Sequence, residues 1–336
     1  MTNYNAQQIH LKSRPKGLPT QDNFEIVEVE LTPPQKNEVL VQNLYMSVDP
    51  YMRGRMRAEG VYAEPYALNQ PMYGGAVGEV IESNNENLQK GDIVLNGGAW
   101  QDKLIATADT LTKLAPFDKN RLSFYLGTLG MPGMTAYVGL FKFGEPKKGE
   151  TVFVSAASGA VGANVCQIAK QLGCRVIGSV GSDEKAQWLL DECKVDEVIN
   201  YKTCGDLTQA LAKAAPNGVD VYFENVGGSH LEATLNVMNH FGRIAACGMI
   251  STYNNSEPAP GPNNLMLIVG KKVRINGFIV FDHNDMRAQF LSDMESWVKD
   301  RKIVVRETVV EGLDNSVDAF LALFSGDNFG KMIVKI

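Results

Sequence analysis

The sequence has few of the residues from which disulfide frameworks and metal sites are built. It contains five cysteines and four histidines among 336 residues, and no two cysteines stand in a C-x-x-C spacing. The odd count and this spacing argue against a disulfide framework or a zinc knot. The histidines are scattered without ligand spacing, and we expect each of them at the surface or in a capping position. The sequence therefore predicts no metal site.

The chain also lacks long apolar runs and a surplus of basic residues. No segment approaches the roughly 18 apolar residues that indicate a membrane span. The first 17 residues contain no apolar core of the kind found in signal peptides. The net charge of −6 argues against a nucleic-acid surface. We therefore expect a cytoplasmic protein without nucleic-acid or membrane partners.

One segment, residues 151–178, has the pattern of a complete βαβ unit. An apolar run at 151–155 leads into a turn that contains glycine, and the next apolar residues follow the spacing of one helix face. Gly173 ends this helix, as a residue able to adopt positive φ should, and a second apolar run follows. The order strand, glycine turn, helix and strand is typical of dinucleotide-binding folds.

The glycine fingerprint in this unit is incomplete, because Ala157 stands where the first glycine of G-x-G-x-x-G would be. Gly159 lets the backbone approach a pyrophosphate, and Gly162 lets the helix pack close to its strand. We expect Gly159, Ala160, Val161 and Gly162 to bind the pyrophosphate, with the free N–H groups of the helix start facing it. An ordinary glycine turn of an α/β protein is the alternative.

The second strand ends without the acidic residue that would hold the ribose 2′-hydroxyl of NAD. Residues 179–182 occupy that place, and Ser182 has the character of an N-cap that Asp183 and Glu184 follow in the first helical turn. Lys185, in the third helical position, opposes the helix dipole, and a 2′-phosphate would balance its charge. The pattern therefore favours NADPH over NADH.

The rest of the chain shows two patterns of predicted secondary structure. Residues 1–125 show several short strands separated by turn signals, which is typical of a small barrel. Residues 126–302 alternate strands and helices, and their six strands predict a parallel, doubly wound sheet. Residues 303–336 return to strands around one helix, and we expect this tail to rejoin the first domain. The predicted fold is α/β, with a β-barrel domain of 1–125 and 303–336 and a Rossmann domain of 126–302.

Short stretches distributed along nearly the whole chain carry a resemblance to a known family. They begin with Ser47-Val48-Asp49-Pro50-Tyr51-Met52-Arg53 and continue at 131–137, 159–162, 181–185, 200–202, 224–228, 247–254 and 326–331. With them the sequence resembles the zinc-independent medium-chain dehydrogenase/reductase proteins. Within these it is similar to the leukotriene B4 dehydrogenase/prostaglandin reductase branch, which includes 2-alkenal and curcumin reductases.

The resemblance implies a fold, an assembly and a reaction. It implies a GroES-like β-barrel domain, a Rossmann domain and a homodimer. The implied reaction is the NADPH-dependent reduction of the carbon–carbon double bond of α,β-unsaturated aldehydes and ketones, by hydride transfer to the β-carbon. Zinc-dependent relatives carry a Gly-His-Glu motif near the glycine-rich strand, where this chain has Tyr73-Gly74-Gly75-Ala76.

The resemblance also implies site residues. Lys185 and Tyr201 match contacts to the 2′-phosphate end of the cofactor. Contacts along the cofactor match Asn225 and the loop from Cys247 to Tyr253, including Ile250 and Ser251. Contacts near the nicotinamide match Phe278, Ile279, Val280 and Asn328. Thr135 is a further cofactor contact, and Met131 lines the substrate side of the same site.

Reducing an enone without a metal requires a hydrogen-bond donor for the charge that builds on the carbonyl oxygen. Tyr253 is the first candidate, because a neutral tyrosine hydroxyl can donate and because it follows the fifth strand, at the carboxyl edge where such sheets bind ligands. A surface position in a long loop is the alternative for Tyr253, and a ribose hydroxyl of the cofactor is the alternative donor. Tyr51 is the second candidate, as a substrate-binding residue or as a core aromatic with a hydrogen-bonded tip.

Two other functions remain compatible with the sequence. A quinone reductase would use the same fold and the same cofactor. A cofactor-binding protein without turnover would serve as a structural or regulatory partner. A reversible alcohol dehydrogenase is disfavoured, because the oxidative step lacks a zinc site or an evident base.

Overall fold

The computed structural model describes residues 3–60 and 62–336. It divides the chain into two compact units. The first unit holds the residues up to Gly127 together with Glu307–Asn328 and Met332–Ile336, and the second holds Thr128–Arg306 and Phe329–Lys331. The sequence places these boundaries after residues 125 and 302. We call the two units the β unit and the dinucleotide unit.

The amino-terminal part of the β unit consists of strands and one short helix. In chain order these are β1 (Tyr4–Leu11), β2 (Phe24–Leu31), β3 (Glu38–Ser47), α1 (Met52–Arg55), β4 (Ala76–Ser83), β5 (Ile93–Asn96), β6 (Lys103–Thr107) and β7 (Thr112–Lys113). A 3-10 helix, Lys119–Leu126, follows them.

The dinucleotide unit alternates helices and strands. Its elements are α2 (Met131–Val138), β8 (Thr151–Val154), α3 (Gly162–Gln171), β9 (Arg175–Val180), α4 (Asp183–Asp191), β10 (Glu197–Asn200), α5 (Leu207–Ala214), β11 (Val219–Glu224), α6 (Ser229–Val237), β12 (Met238–Ala246), α7 (Met266–Lys271), β13 (Arg274–Gly277) and α8 (Arg287–Lys299). The chain then adds β14 (Glu307–Glu311), α9 (Ser316–Ser325) and β15 (Lys331–Lys335).

The six strands of the dinucleotide unit form one parallel sheet in the order β10-β9-β8-β11-β12-β13. This is the doubly wound Rossmann order, and the six predicted strands are confirmed. All four residues of β8 are buried, as expected for a central parallel strand covered on both faces. The order reverses between β8 and β11, so the carboxyl ends of these neighbouring strands form the switch point at which such sheets bind ligands.

The β unit contains a seven-stranded sheet and a two-stranded sheet. The larger sheet runs β14-β15-β3-β4-β5-β7, with β6 paired to β3, and the smaller one is the antiparallel pair β1-β2. A fully buried Trp100 lies in its main core, where its ring is 6.0 Å from Phe320 of α9. Helix α9 and the part of strand β15 from Met332 onward belong to this unit.

Three helices of different types lie between residues 119 and 144. The chain passes from the 3-10 helix through α2 to a π-helical stretch, Gly139–Gly144. Pro132 lies in the first turn of α2, where its missing N–H and fixed φ are tolerated. Because a proline inside a helix would interrupt its hydrogen bonds, a new helix begins at this point instead of one continuous helix running through it. Within residues 3–60 and 62–336, no helix has the length and apolarity to cross a membrane.

Candidate active site

The glycine turn between β8 and α3 is as tight as the sequence predicts, and Gly162 is the residue it depends on. A Cβ atom on Gly162 would lie 2.3 Å from the carbonyl oxygen of Ala156 and 2.8 Å from the Cα of Ala157. A Cβ on Gly159 would lie 3.2 Å from the same carbonyl oxygen. The left-handed residue of the turn is Ala156, with a φ of 48°, so the turn does not use a glycine there.

The missing first glycine has a structural explanation. Ala157 is fully buried, and its methyl group lies 2.9 Å from the position that a Cβ on Gly178 would occupy. Gly178 lies in the neighbouring strand β9, so that strand provides the space that Ala157 fills. The alanine in the turn is thus accommodated by a glycine in the adjacent strand. The backbone of the turn can still approach a pyrophosphate.

The end of β9 carries the residues predicted to bind the 2′-phosphate. The Ser182 hydroxyl caps α4 by accepting a hydrogen bond from the Lys185 N–H at 3.4 Å, which confirms the predicted N-cap. The Tyr201 hydroxyl lies 3.0 Å from the position of a Cβ on Gly181, so Tyr201 and Lys185 both flank this strand end. Sequence reasoning missed Lys202, whose Cε lies 3.2 Å from the same position on Gly181.

His230 departs from the prediction that each histidine is exposed or caps a helix. It is 3% exposed, and its Nε2 lies 2.8 Å from the Ser179 hydroxyl. The Tyr201 ring packs edge-on against the imidazole, with 5.2 Å between centroids. Burial lowers the pKa of His230 to about 4, so the ring is neutral near pH 7. His230 is therefore a core residue that supports Tyr201 from beneath.

Asn225 stands at the switch point, directly after β11. Its backbone N–H donates to the Ser155 hydroxyl at 2.9 Å, and its Nδ2 donates to the Ser155 carbonyl at 2.7 Å. The Asn225 side chain is thereby oriented by the end of the neighbouring strand β8. No donor in residues 3–60 and 62–336 bonds its Oδ1, so that oxygen can accept a hydrogen bond from a ligand.

Glu224, which sequence reasoning also missed, fixes the loop that carries Asn225. The side chain is fully buried, and its Oε1 accepts hydrogen bonds from four donors. These are the hydroxyls of Tyr222 (2.7 Å) and Ser155 (3.2 Å) and the N–H groups of Val226 (2.7 Å) and Gly227 (2.8 Å). Burial raises the pKa of the Glu224 carboxyl, and these hydrogen bonds oppose the rise.

The loop after β12 is bonded to the same strand end. The N–H groups of Cys247 and Gly248 donate to the Glu224 carbonyl at 3.0 and 3.1 Å. The N–H groups of Ile250 and Ser251 donate to the carbonyls of Asn225 and Val226, both at 3.1 Å. The loop from Cys247 to Ser251 thus lies beside Asn225 at the carboxyl edge of the sheet, the edge at which sheets of this kind bind ligands.

Tyr253 follows this loop, and its hydroxyl returns over the end of β12. The hydroxyl oxygen lies 2.8 Å from the position that a Cβ on Gly248 would occupy. Gly248 must therefore lack a side chain for the tyrosine to take this place. Tyr253 is partly buried and is not a freely exposed loop residue. Burial, with a contribution from Glu224, raises the pKa of the nearby Cys247 thiol to about 12, so this cysteine is protonated near pH 7 and is a poor nucleophile.

The residues predicted near the nicotinamide and the substrate differ in burial: some are packed against neighbouring side chains and others are partly exposed. The Phe278 ring is stacked 5.0 Å from Phe143, and Val280 is 8% exposed, so both side chains serve packing, while Ile279 is partly exposed. The Thr135 hydroxyl donates to the Met131 carbonyl at 2.8 Å, one turn back in α2. Thr135 can therefore still accept, but not donate, a hydrogen bond in this geometry.

Two predicted site residues, Tyr51 and Asn328, belong to the β unit. Burial and the negative charge of Asp49 raise the pKa of the Tyr51 hydroxyl, while Arg55 opposes the rise. The hydroxyl is therefore neutral and able to donate near pH 7. Asn328 is partly exposed and follows Gly326, whose φ of 77° ends α9 in the left-handed conformation.

The donor set does not fit a metal ion. Within the described part of the chain, no three His, Cys, Asp or Glu side chains are grouped as metal ligands would be. The stretch Tyr73-Gly74-Gly75-Ala76 contains no histidine, cysteine or carboxylate that could bind a metal ion.

Two family descriptions match the chain. The family described as "N-terminal domain of oxidoreductase" matches residues 7–114, and the one described as "Zinc-binding dehydrogenase" matches residues 160–296. The second description names a metal for which this chain has no grouped ligands in its described residues. All the residues that it matches lie in the dinucleotide unit.

Individual relatives match from end to end. The 2-alkenal reductase (NADP(+)-dependent) of Nicotiana tabacum is 46% identical over 335 residues, covering 98% of this chain and 97% of the relative. The NADPH-dependent curcumin reductase of Escherichia coli is 43% identical over 331 residues, covering 97% and 95%. The crystal structure of CurA in complex with NADPH from Vibrio vulnificus superposes with a TM-score of 0.93, at 41% identity and 98% coverage of both chains. The chain belongs to the zinc-independent branch of the medium-chain dehydrogenase/reductase family that contains the curcumin, 2-alkenal and prostaglandin reductases.

Proposed function

We propose that this protein uses NADPH to reduce the carbon–carbon double bond of α,β-unsaturated aldehydes and ketones. The observation that carries the proposal is the place of the Tyr253 hydroxyl, over Gly248 and beside Asn225 at the carboxyl edge of the sheet. The end-to-end similarity to enzymes named for curcumin and 2-alkenal reduction supports it. Because no metal ligands are grouped in the described residues, we assign the stabilisation of charge on the carbonyl oxygen to a hydrogen-bond donor.

Each group of residues has a separate task in this proposal. The backbone of Gly159–Gly162 and the start of α3 bind the pyrophosphate, while Lys185 and Tyr201 bind the 2′-phosphate. Asn225 orients the carboxamide end through its Oδ1. When bound, NADPH supplies the hydride that the β-carbon of the enone receives. Tyr253 donates a hydrogen bond to the enone oxygen, where negative charge develops, and the α-carbon takes a proton.

A turnover assay tests the function as a whole. We expect the purified protein to oxidise NADPH when a simple linear enal is added and to form the saturated aldehyde. We expect little oxidation of NADH and no change of rate on adding a chelator, because no grouped ligands for a metal are present in the described residues. A faster reaction with a quinone would indicate a quinone reductase instead. NADPH binding without turnover on any enal, enone or quinone would contradict the enzymatic function.

We also propose that the protein is a homodimer joined through the β13 edge of the parallel sheet. Strand β13 is the last strand of that sheet, and its Ile275 is 38% exposed. Met266 and Val269 of the adjacent helix α7 are 78% and 73% exposed. An exposed sheet edge flanked by apolar side chains is suited to pair with a second copy of itself.

Light scattering on the purified protein tests this assembly. We expect a mass twice that of the 36.8 kDa chain for the unaltered protein. Ile275→Lys together with Val269→Glu is expected to give the monomer mass, because both charges would be buried by the pairing. Val309→Lys is the matched control, since Val309 is similarly exposed on an edge strand of the β unit. A monomeric unaltered protein, or a dimer unaffected by the double variant, would refute the β13 interface.

We propose the cytoplasm as the place of action. The proposed reaction consumes NADPH and therefore needs a compartment that supplies it. The five cysteines are all unpaired, which is typical of proteins in a reducing compartment. Fractionation of the source cells would check this location.

A further inference from the structure

His230 is a buried titratable residue to which the proposed reaction gives no task. It lies in the first turn of α6, and its Nε2 is 2.8 Å from the Ser179 hydroxyl. Its other ring nitrogen, Nδ1, is also buried and has no hydrogen-bond partner within residues 3–60 and 62–336. A buried nitrogen without a partner destabilises a fold, and an apolar side chain of similar size would fill the same space without this cost. Packing alone therefore does not explain a histidine at this position.

The hydrogen bond to Ser179 gives the imidazole ring a fixed orientation. Ser179 belongs to β9 and is fully buried, so its hydroxyl is held by the parallel sheet. Burial lowers the pKa of His230 to about 4, and in the neutral ring one nitrogen donates while the other accepts, so Nε2 can pair with the hydroxyl in either direction. The ring is thereby oriented relative to the strand, which an apolar side chain could not achieve by a hydrogen bond.

The oriented imidazole packs against the ring of Tyr201. The Tyr201 N–H donates to the Val180 carbonyl at 3.0 Å, which ties its backbone to the end of β9. The side chain is 42% exposed, and its ring meets the imidazole at an angle of 76° between the ring planes. A tyrosine side chain has several staggered directions open to it at a surface, and a ring packed on one side removes some of them. His230 therefore restricts the direction of the Tyr201 side chain.

In this direction the Tyr201 hydroxyl lies at the end of β9. It is 3.0 Å from the position that a Cβ on Gly181 would occupy, and the Cε of Lys202 is 3.2 Å from the same position. These residues, Ser179 and His230 all belong to the dinucleotide unit. A hydroxyl and a lysine side chain beside a residue without a side chain are suited to bind one phosphate group.

We propose that His230 is a positioning residue for the choice of cofactor. Through its bond to Ser179 and its contact with Tyr201, it holds the tyrosine hydroxyl where the 2′-phosphate of NADPH binds. It thereby strengthens the preference for NADPH over NADH. The inference rests on the proposed role of Tyr201 in binding the 2′-phosphate, and it assigns His230 an effect that reaches the cofactor only through Tyr201.

The dissociation constants of the two cofactors test this role without any turnover. Calorimetric titrations of the purified protein with NADPH and with NADH give the ratio of these constants. Unfolded protein lowers the number of binding sites and not their affinity, so a partly unfolded variant still gives a valid ratio. We expect His230→Leu to weaken NADPH binding about tenfold, because the hydrogen bond from Tyr201 to a charged group is weakened. The binding of NADH, which has no 2′-phosphate, should change little.

Three further variants separate positioning from a general loss of packing. Ser179→Ala keeps the imidazole and removes its hydrogen bond, so it should shift the ratio in the same direction by a smaller factor. In a protein that already carries Tyr201→Phe, His230→Leu should not change the ratio further, because the hydroxyl that it positions is absent. Leu235→Ala, at a fully buried core position of the same helix, should lower Tm and keep the ratio of the unaltered protein.

Each outcome decides for or against the proposal. An unaltered ratio in His230→Leu, beside a changed ratio in Tyr201→Phe, would overturn the role of His230 and leave Tyr201 as a phosphate ligand. Equal weakening of NADPH and NADH, or the same shift in Leu235→Ala, would show that His230 only packs the core. If Tyr201→Phe keeps the ratio, the proposed phosphate contact fails and the role of His230 fails with it. If the expected shifts occur in a protein that reduces no enone, the reductase function fails and the positioning role stands.

Discussion

Replacing Tyr253 with phenylalanine is expected to lower kcat for an enal about 100-fold, the typical loss when one donor to a developing oxyanion is removed. The reason is geometric. The hydroxyl lies over Gly248 at the carboxyl edge of the sheet, beside the loop that the Glu224 carbonyl and Asn225 hold in place. Phenylalanine keeps the ring and its packing, so only the hydrogen bond is lost. Steady-state kinetics at saturating NADPH measure the effect.

The control for Tyr253 is a tyrosine that also loses a hydrogen bond but lies elsewhere. The Tyr4 hydroxyl donates to Glu82 in the β unit, so Tyr4→Phe should leave kcat unchanged. If Tyr253→Phe also leaves kcat unchanged, the donor is a ribose hydroxyl of the cofactor or solvent. A raised KM with the same kcat would assign Tyr253 to orienting the substrate, because an interaction made equally in ground state and transition state changes KM alone.

The fold was largely predictable because its strongest signals are periodic. The buried strands of the dinucleotide unit appear in the sequence as short apolar runs separated by glycine turns, and all six were located. Boundaries were less accurate, and β12 begins at Met238 although its apolar run starts only after Gly242. The structure of the segment around Pro132 was harder to predict. Local apolarity does not show that a 3-10 helix, an α-helix and a π-helical stretch follow one another there.

The tertiary support of the site was not visible in the sequence. Glu224 looks like a charged strand end, and only the folded sheet shows that four donors surround its Oε1. His230 looks like a helix-surface residue, and only the packing of α6 shows that it is buried under Tyr201. Ala157 looks like a defect in the glycine fingerprint until Gly178 is found opposite it. Each of these features depends on residues that are far apart in the sequence. The periodicity of apolar residues identifies helices and strands but does not show which distant residues meet.

Removing the cations at the end of β9 is expected to reverse much of the preference for NADPH over NADH. Lys185→Ala should raise the KM for NADPH roughly 10- to 100-fold, as expected when a hydrogen bond between charged groups is lost. The KM for NADH should change little, because NADH has no 2′-phosphate to bind. Lys202→Ala should act in the same direction, since its Cε lies 3.2 Å from the Cβ position of Gly181, next to the Tyr201 hydroxyl. Initial rates with each cofactor at saturating enal measure both constants.

The double variant decides whether the two lysines bind one phosphate. Two cations that contact the same anion are coupled, so the combined change in binding energy should differ from the sum of the single changes. Lys213→Ala, on the exposed face of α5, is the control for the general loss of positive charge and should leave both constants unchanged. Equal rises in KM for NADPH and NADH would show that Lys185 supports the pocket without recognising the phosphate. A strictly additive double variant would place Lys202 outside the phosphate site and leave Lys185 and Tyr201 to bind the group.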